Sequence, residues 1–324
     1  MVLLLRAELL KLSRSRGVWV VTGMAVAFMV FVQWHSQGVS YQFATGIEEY
    51  RRLLGMPCTT GSPGHAVACT AKQADAYRAA LSGQIVDDER AARAGWLGIS
   101  PLGELVFTLG MFATAVGVGV AMSLGSIAVD TELRSGGLKA SIIQQQRRGR
   151  VVAGKLGGAY AVTLGAILVC AVCSVATGRL LQAIRPLPAP SGAPWSGAAL
   201  PAWGWTIAAG LLTPAVMIAV TVAGGLLVRS TLGAVGGAGA FVLLDRAFVA
   251  LQPHLAYAGF TGAVGVVTRS LVSSELTQSN FTVVLWPSSL GNGGAAPLAT
   301  LELVAMAAAA GLLALGALHW REIR

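Results

Sequence analysis

Trp205-Thr206-Ile207-Ala208-Ala209-Gly210-Leu211-Leu212-Thr213-Pro214-Ala215-Val216-Met217-Ile218-Ala219-Val220-Thr221-Val222-Ala223-Gly224-Gly225-Leu226-Leu227-Val228 contains no charged residue. A helix needs a run of about 20 mostly apolar residues to cross the hydrocarbon of a bilayer. The rest of the chain has the same character. Of its 324 residues, 55% are hydrophobic and only 11% charged, and the mean hydropathy is +0.68. A soluble domain carries roughly a quarter charged residues, so too little polar surface is present to cover a water-soluble globule. This excludes a soluble enzyme, a disordered chain and a disulfide-rich secreted domain. The apolar runs are continuous rather than alternating, which argues against an outer-membrane barrel. The 41 glycines suit closely packed membrane helices. What remains is an all-α polytopic membrane protein.

Around that central run, which fills 204–228 and is expected to kink at Pro214, five further apolar stretches are predicted to span: 17–34, 101–129, 155–177, 232–251 and 297–318. The stretch 101–129 is unusually long. Between them lie an amphipathic start at 1–16, a long loop at 35–100, a basic loop at 130–154, a Pro-rich loop at 178–203, a segment at 252–296 and a short tail at 319–324. Leu255 to Val272 is apolar but rich in Gly, Thr and Ser and is interrupted by Arg269. It reads as a re-entrant or interfacial pair of short helices, with a seventh span as the alternative.

Basic residues near span ends set the orientation. With six spans, thirteen of the 23 Lys and Arg residues fall on the side of the N-terminus, six of them in the loop after the second span (Arg134, Lys139, Arg147, Arg148, Arg150, Lys155). Both termini are therefore expected to be cytoplasmic. No small-x-small cleavage pattern follows the first apolar run, so it is read as retained. The loop 35–100 balances six basic against six acidic residues and holds two helical stretches, 77–81 and 87–93. It is expected to be a small solvated extracytoplasmic subdomain, too long to be a plain connector.

Chemistry-bearing residues are sparse. Gly149-Arg150-Val151-Val152-Ala153-Gly154-Lys155-Leu156 has the spacing of a phosphate-binding loop. Leu156 stands where the magnesium-holding Ser or Thr belongs, however, and no strand precedes it. It reads as a helix start, with Lys155 at the headgroups. The four histidines, His35, His65, His254 and His319, are not spaced as metal pairs. Paired aspartates or a Ser and His at membrane depth, as a membrane protease needs, are not visible. Glu104 and Glu302 fall near the outer ends of their spans and read as structural. Asp245 and Arg246 lie in the outer half of the fifth span, where ionisable groups are functional candidates by default. They read either as a polar contact in a translocation path or as a paired, snorkelling couple near the outer headgroups. Cys58 and Cys69, on the oxidising side, are expected to close a small loop rich in Gly and Pro. Cys170 and Cys173, one turn apart in a span, read as small packing residues.

Two amphipathic pieces are the most informative. At the N-terminus, Leu5, Leu9 and Leu12 fall on one helical face, with Glu8, Lys11 and Arg14 away from it. Such a helix lies in the interface plane against lipid headgroups. After the second span, the segment from Asp130 to Arg150 begins with acids and ends with bases, as helix dipoles favour. Leu138 and Ile142 are four apart and present one apolar edge, suited to docking a cytoplasmic partner.

The chain resembles the permeases of ABC-2 type exporters. The likeness lies in Arg6-Ala7-Glu8-Leu9-Leu10-Lys11-Leu12-Ser13-Arg14-Ser15-Arg16, in Thr131-Glu132-Leu133-Arg134-Ser135-Gly136 and in Arg147-Arg148-Gly149-Arg150-Val151-Val152-Ala153-Gly154-Lys155, taken in that order before the third span. The resemblance implies a six-span fold of the type V ABC exporter kind, with an N-terminal elbow helix and a cytoplasmic coupling helix. It makes Glu132, Leu133, Arg134, Leu138 and Ile142 the contacts to the ATPase. Two cytoplasmic ABC ATPase subunits would bind ATP and magnesium, and a second permease copy or paralogue would complete the complex. The chain itself is then a transporter subunit with no catalytic residue, metal or cofactor of its own. It would sit among the lipids of a bacterial cytoplasmic membrane and have no nucleic-acid partner. Gly137 departs from the family, where Thr is common, and the loop 35–100 is longer than in the simplest exporters. The sparse charge of the spans suggests an apolar or amphipathic cargo such as a drug, peptide or lipid. Two other readings stand beside this one: an ATP-independent secondary transporter, and a membrane sensor or assembly protein whose Cys58–Cys69 loop binds a ligand.

Overall fold

The computed structural model describes residues 2–60, 67–135, 148–187, 199–251, 260, 263–264 and 296–320. These residues form helices throughout, apart from one short antiparallel strand pair. In chain order the helices are α1 (Val2–Ser13), α2 (Arg16–Leu54), α3 (Ala71–Ile99), α4 (Pro101–Phe112), α5 (Ala115–Ser135), α6 (Arg148–Ile184), α7 (Ala199–Val228), α8 (Thr231–Leu251) and α9 (Ala296–Trp320). The strands β1 (Thr59–Thr60) and β2 (Val67–Ala68) pair between α2 and α3. Five helices (α2, α6, α7, α8 and α9) are long and apolar enough to cross a membrane, and α4 with α5 makes a sixth if the bent pair is one span. The chain is a helical, multi-pass membrane protein.

α7 is the axis of the bundle. It packs against α4, α5, α6, α8 and α9, and Val216, Met217, Ile218, Val222 and Leu226 of its sequence are buried in the main core. The helix runs on through Pro214. Pro214 leaves the Gly210 carbonyl without its usual N–H. One residue on, the Leu211 carbonyl accepts a bond from the Tyr160 hydroxyl of α6 at 3.1 Å, the kind of support a neighbouring helix gives such a break.

The stretch expected as one long second span is two helices bent by 64°. No proline is involved. Ser100 caps α4, accepting from the Gly103 N–H at 3.2 Å, and Pro101 opens the helix. At the break, the Thr114 hydroxyl bonds the Met111 carbonyl at 2.5 Å. A Cβ on Gly117 would overlap the Phe112 carbonyl, and one on Gly210 of α7 would overlap the Leu109 backbone. Glycine is thus what lets α5 fold back at the break and lets α7 touch the α4 backbone.

The 35–100 region also differs from expectation. Its helices run far beyond the expected stretches 77–81 and 87–93. α2 continues for 39 residues, about 58 Å at 1.5 Å per residue, roughly twice the thickness of a bilayer core. Its far half pairs with α3 as a helical hairpin. Ile47, Ile85 and Ala92 are buried between the two helices, with Ala44, Tyr50 and Leu54 beside them, and Arg51 bridges Glu89 at 2.6 Å. At the tip Cys58 and Cys69 form a disulfide with a Cα–Cα distance of 5.5 Å.

The two ends of the bundle are distinct. At one end α1 packs on the start of α6, the end of α5 meets the start of α8, and the end of α9 approaches the start of α6. At the other end the hairpin rises where α2, the start of α4 and the end of α6 come together.

Candidate functional site

The densest buried polar group lies at the foot of the hairpin. The burial stripe of α2 runs Val18, Thr22, Ala25, Met29, Gln33, Gln37, Ser40, so helical periodicity carries amide side chains into the position that apolar ones hold lower down. Gln33 meets Glu104, on the first turn of α4, and Ser174 of α6. All three are buried, Glu104 and Ser174 at 1% exposure. The Gln33 Nε2 donates to Glu104 Oε2 and to the Ser174 hydroxyl and lies 3.5 Å from the Ser174 carbonyl. The Ser174 hydroxyl donates to Glu104 Oε2 at 2.5 Å. Both donors therefore converge on one carboxylate oxygen. Glu104 Oε1 and Gln33 Oε1 are buried and accept no hydrogen bond from a described residue. One turn beyond Ser174, Gly178 lies so close that a Cβ there would overlap Glu104 Oε1.

Above this cluster, the Gln37 Nε2 donates to the Arg185 carbonyl at 3.4 Å, and the Arg185 guanidinium sits 4.8 Å from the Trp34 ring centre. Glu104 is thus not a span-end carboxylate facing headgroups, as its sequence position suggested. It is enclosed by three helices.

The opposite end carries two cross-helix links. Lys155, expected at the headgroups, is buried and 3.7 Å from Glu8 of α1. Glu8 consequently faces the bundle with Leu5, Leu9 and Leu12 rather than away from it. The approach is tight: a Cβ on Gly158 would come within 2.9 Å of the Glu8 Cβ. The second link joins Thr231, at the start of α8, to Asp130 near the end of α5 at 2.6 Å. Arg229, with φ 56°, makes the turn into α8, and the Ser230 hydroxyl caps it by accepting from Gly233 N at 2.8 Å.

The residues singled out from sequence are dispersed. Leu133 is half-buried against the main core in the last turns of α5. Glu132 and Arg134 are on the same helix, and their side chains lie outside the described residues, as do Leu138 and Ile142 altogether. Asp245, half-buried on α8, accepts the Phe260 N–H at 2.6 Å, while Phe260 packs its ring 5.5 Å from that of Phe241. Asp245 therefore tethers the chain that follows α8. Arg246 is half-buried beside it. The rest of 252–295 lies outside the described residues. Cys170 is buried and Cys173 half-buried on α6, both as free thiols. Among the described residues no three His, Cys, Asp or Glu side chains cluster as a metal site.

No family model, curated protein or solved structure matches the chain.

Proposed function

We propose that the chain is the membrane-spanning permease subunit of an ABC-2 type exporter. In this reading it makes six crossings, α4 and α5 together being the second, in a bacterial cytoplasmic membrane, with the α1 end cytoplasmic and the hairpin outside. Two ABC ATPase subunits supply ATP and magnesium, and a second permease copy or a paralogue completes the pore. The cargo is apolar or amphipathic, since α7 offers no ionisable side chain from 199 to 228.

One observation supports this most. The helix that leads into the basic 130–154 segment is bonded to α8 through Asp130 and Thr231, and the helix that leaves it is bonded to α1 through Lys155 and Glu8. A displacement of that segment by a partner is therefore passed to α1, α5, α6 and α8 together. ATP on the partner biases two states of the bundle because it binds them differently. Glu132, Leu133, Arg134, Leu138 and Ile142 are the proposed contacts, with α1 as the elbow helix.

The test is a mild-detergent pull-down of the tagged chain from its host, followed by an ATP hydrolysis assay after reconstitution. The expected result is a Walker-motif ATPase in near-stoichiometric amount, lost in the Leu138→Asp, Ile142→Asp double variant. A clean preparation without an ATPase partner or hydrolysis overturns the reading.

A further inference from the structure

We propose that the Gln33–Glu104–Ser174 cluster is a proton-binding site, in which one proton associates with the free oxygen Oε1 of Glu104. The balance of donors and acceptors carries the argument. The Gln33 amide and the Ser174 hydroxyl direct their donors to Glu104 Oε2. Two buried acceptors, Glu104 Oε1 and Gln33 Oε1, then have no donor among the described residues. Buried acceptors without donors are costly. A proton on the carboxylate turns one of them into a donor. Turning the Gln33 amide over does not remove the need. It would set the amide oxygen against Glu104 Oε2, and two facing acceptors again require a proton between them.

Charge and space point the same way. A buried carboxylate is offset by a paired cation or by a proton. The groups bonded to Glu104 are neutral. α7 has no titratable residue, and Glu104 is the only one in α4. On α5 the first is Asp130, bonded to Thr231 at the far end of the bundle. On α6 Arg179 is exposed, Tyr160 bonds Leu211, and Cys170 and Cys173 are free thiols, while Arg185, just past the end of α6, lies over Trp34. On α2 His35 is exposed, and on α3 Asp88 accepts from Gln84 at 3.1 Å. A metal ion requires several oxygen ligands and room of its own. Gly178 touches Oε1 so closely that an added methyl group would overlap it. A proton fits where a metal ion or a cargo amine does not.

Each of the three side chains comes from a different helix. Parting α2 or α6 from α4 opens the carboxyl to water and lets the proton leave, so proton occupancy and the closed state of the hairpin foot are linked. This inference does not depend on the permease reading and survives its failure.

The test is pH-titrated infrared difference spectroscopy of the full chain in lipid nanodiscs. The expected result is a titrating carboxylic-acid C=O band in wild type that is missing in Glu104→Gln. Ser174→Ala, which keeps the carboxyl and guards against misfolding of the first variant, should retain the band and shift its midpoint by on the order of one pH unit, the effect of one hydrogen bond to a charged group. Superimposable wild-type and Glu104→Gln spectra overturn the proposal, as does a midpoint that Ser174→Ala leaves unmoved.

Discussion

Gly178 fixes how closely α6 approaches the carboxyl of Glu104, and a single methyl group measures that. A Cβ at Gly178 would overlap Oε1, and overpacking of this kind costs roughly 1–3 kcal/mol. Gly165, on the same helix, has nothing within 4 Å of a Cβ. There, alanine removes the helix penalty of glycine and is worth about 0.5–1 kcal/mol in the opposite direction. Thermal unfolding in detergent should therefore show Gly178→Ala melting below wild type and Gly165→Ala at or above it. Equal midpoints for the two variants would mean that the close contact at Glu104 does not exist. The glutamate itself was visible in the sequence, but its role was not. Position alone put it near a span end, where exposed carboxylates are common. Its burial depends on Gln33 and Ser174, which are 71 and 70 residues away along the chain, and no local pattern reports such a meeting. A partial signal was present: Gln33 continues the Ala25, Met29 face at a spacing of four.

Helices were legible where apolar periodicity is strong and illegible where one element passes into another. The apolar runs lie on α2, α6, α7, α8 and α9 because a long uncharged run has no other way to satisfy its backbone in lipid. The break between α4 and α5 was missed because neither Pro nor a charge marks it; Gly117 and the Gly210 contact across to α7 create it. The length of α2 was missed because its burial stripe changes from Met29 to Gln33, Gln37 and Ser40 without changing period, and composition hides a stripe that periodicity keeps. The hairpin so formed has only a few buried side chains between its helices, so its tip relies on the Cys58–Cys69 crosslink. Loop closure of this size is worth about 3 kcal/mol in the chain-entropy model. Reduction, or the Cys58→Ser, Cys69→Ser double variant, should speed hydrogen exchange in the last turns of α2 and the first turns of α3. Protection around Gln37 and Ser40, next to the bundle, should stay unchanged. Faster exchange extending to Gln37 would show that the hairpin and its foot unfold as one unit.

For the molecule as a whole, parity follows from three contacts. Glu8 of α1 reaches Lys155 at the start of α6, so the starts of α2 and α6 share one end of the bundle. α2 leads away from that end, and the bent pair α4–α5 must therefore bring the chain back. The Asp130–Thr231 bond places the start of α8 there too, and a Cβ on Gly149 would meet Leu315 of α9 at 3.8 Å, which returns the end of α9 to the same level. Single cysteines at Ser13, Ser82 and Arg150, all exposed, test this in a Cys173→Ser background with an impermeant thiol reagent. In intact cells Ser82→Cys should react, while Ser13→Cys and Arg150→Cys should react only after permeabilisation. If Arg150→Cys labels together with Ser82→Cys, α4 and α5 form a re-entrant loop rather than a crossing, and six spans become five. If Ser13→Cys and Arg150→Cys label from outside while Ser82→Cys is protected, the parity holds but the sidedness is reversed. The basic segment would then face away from any cytoplasmic ATPase, and the permease reading would fall while the proton site at Glu104 would remain to be explained on its own.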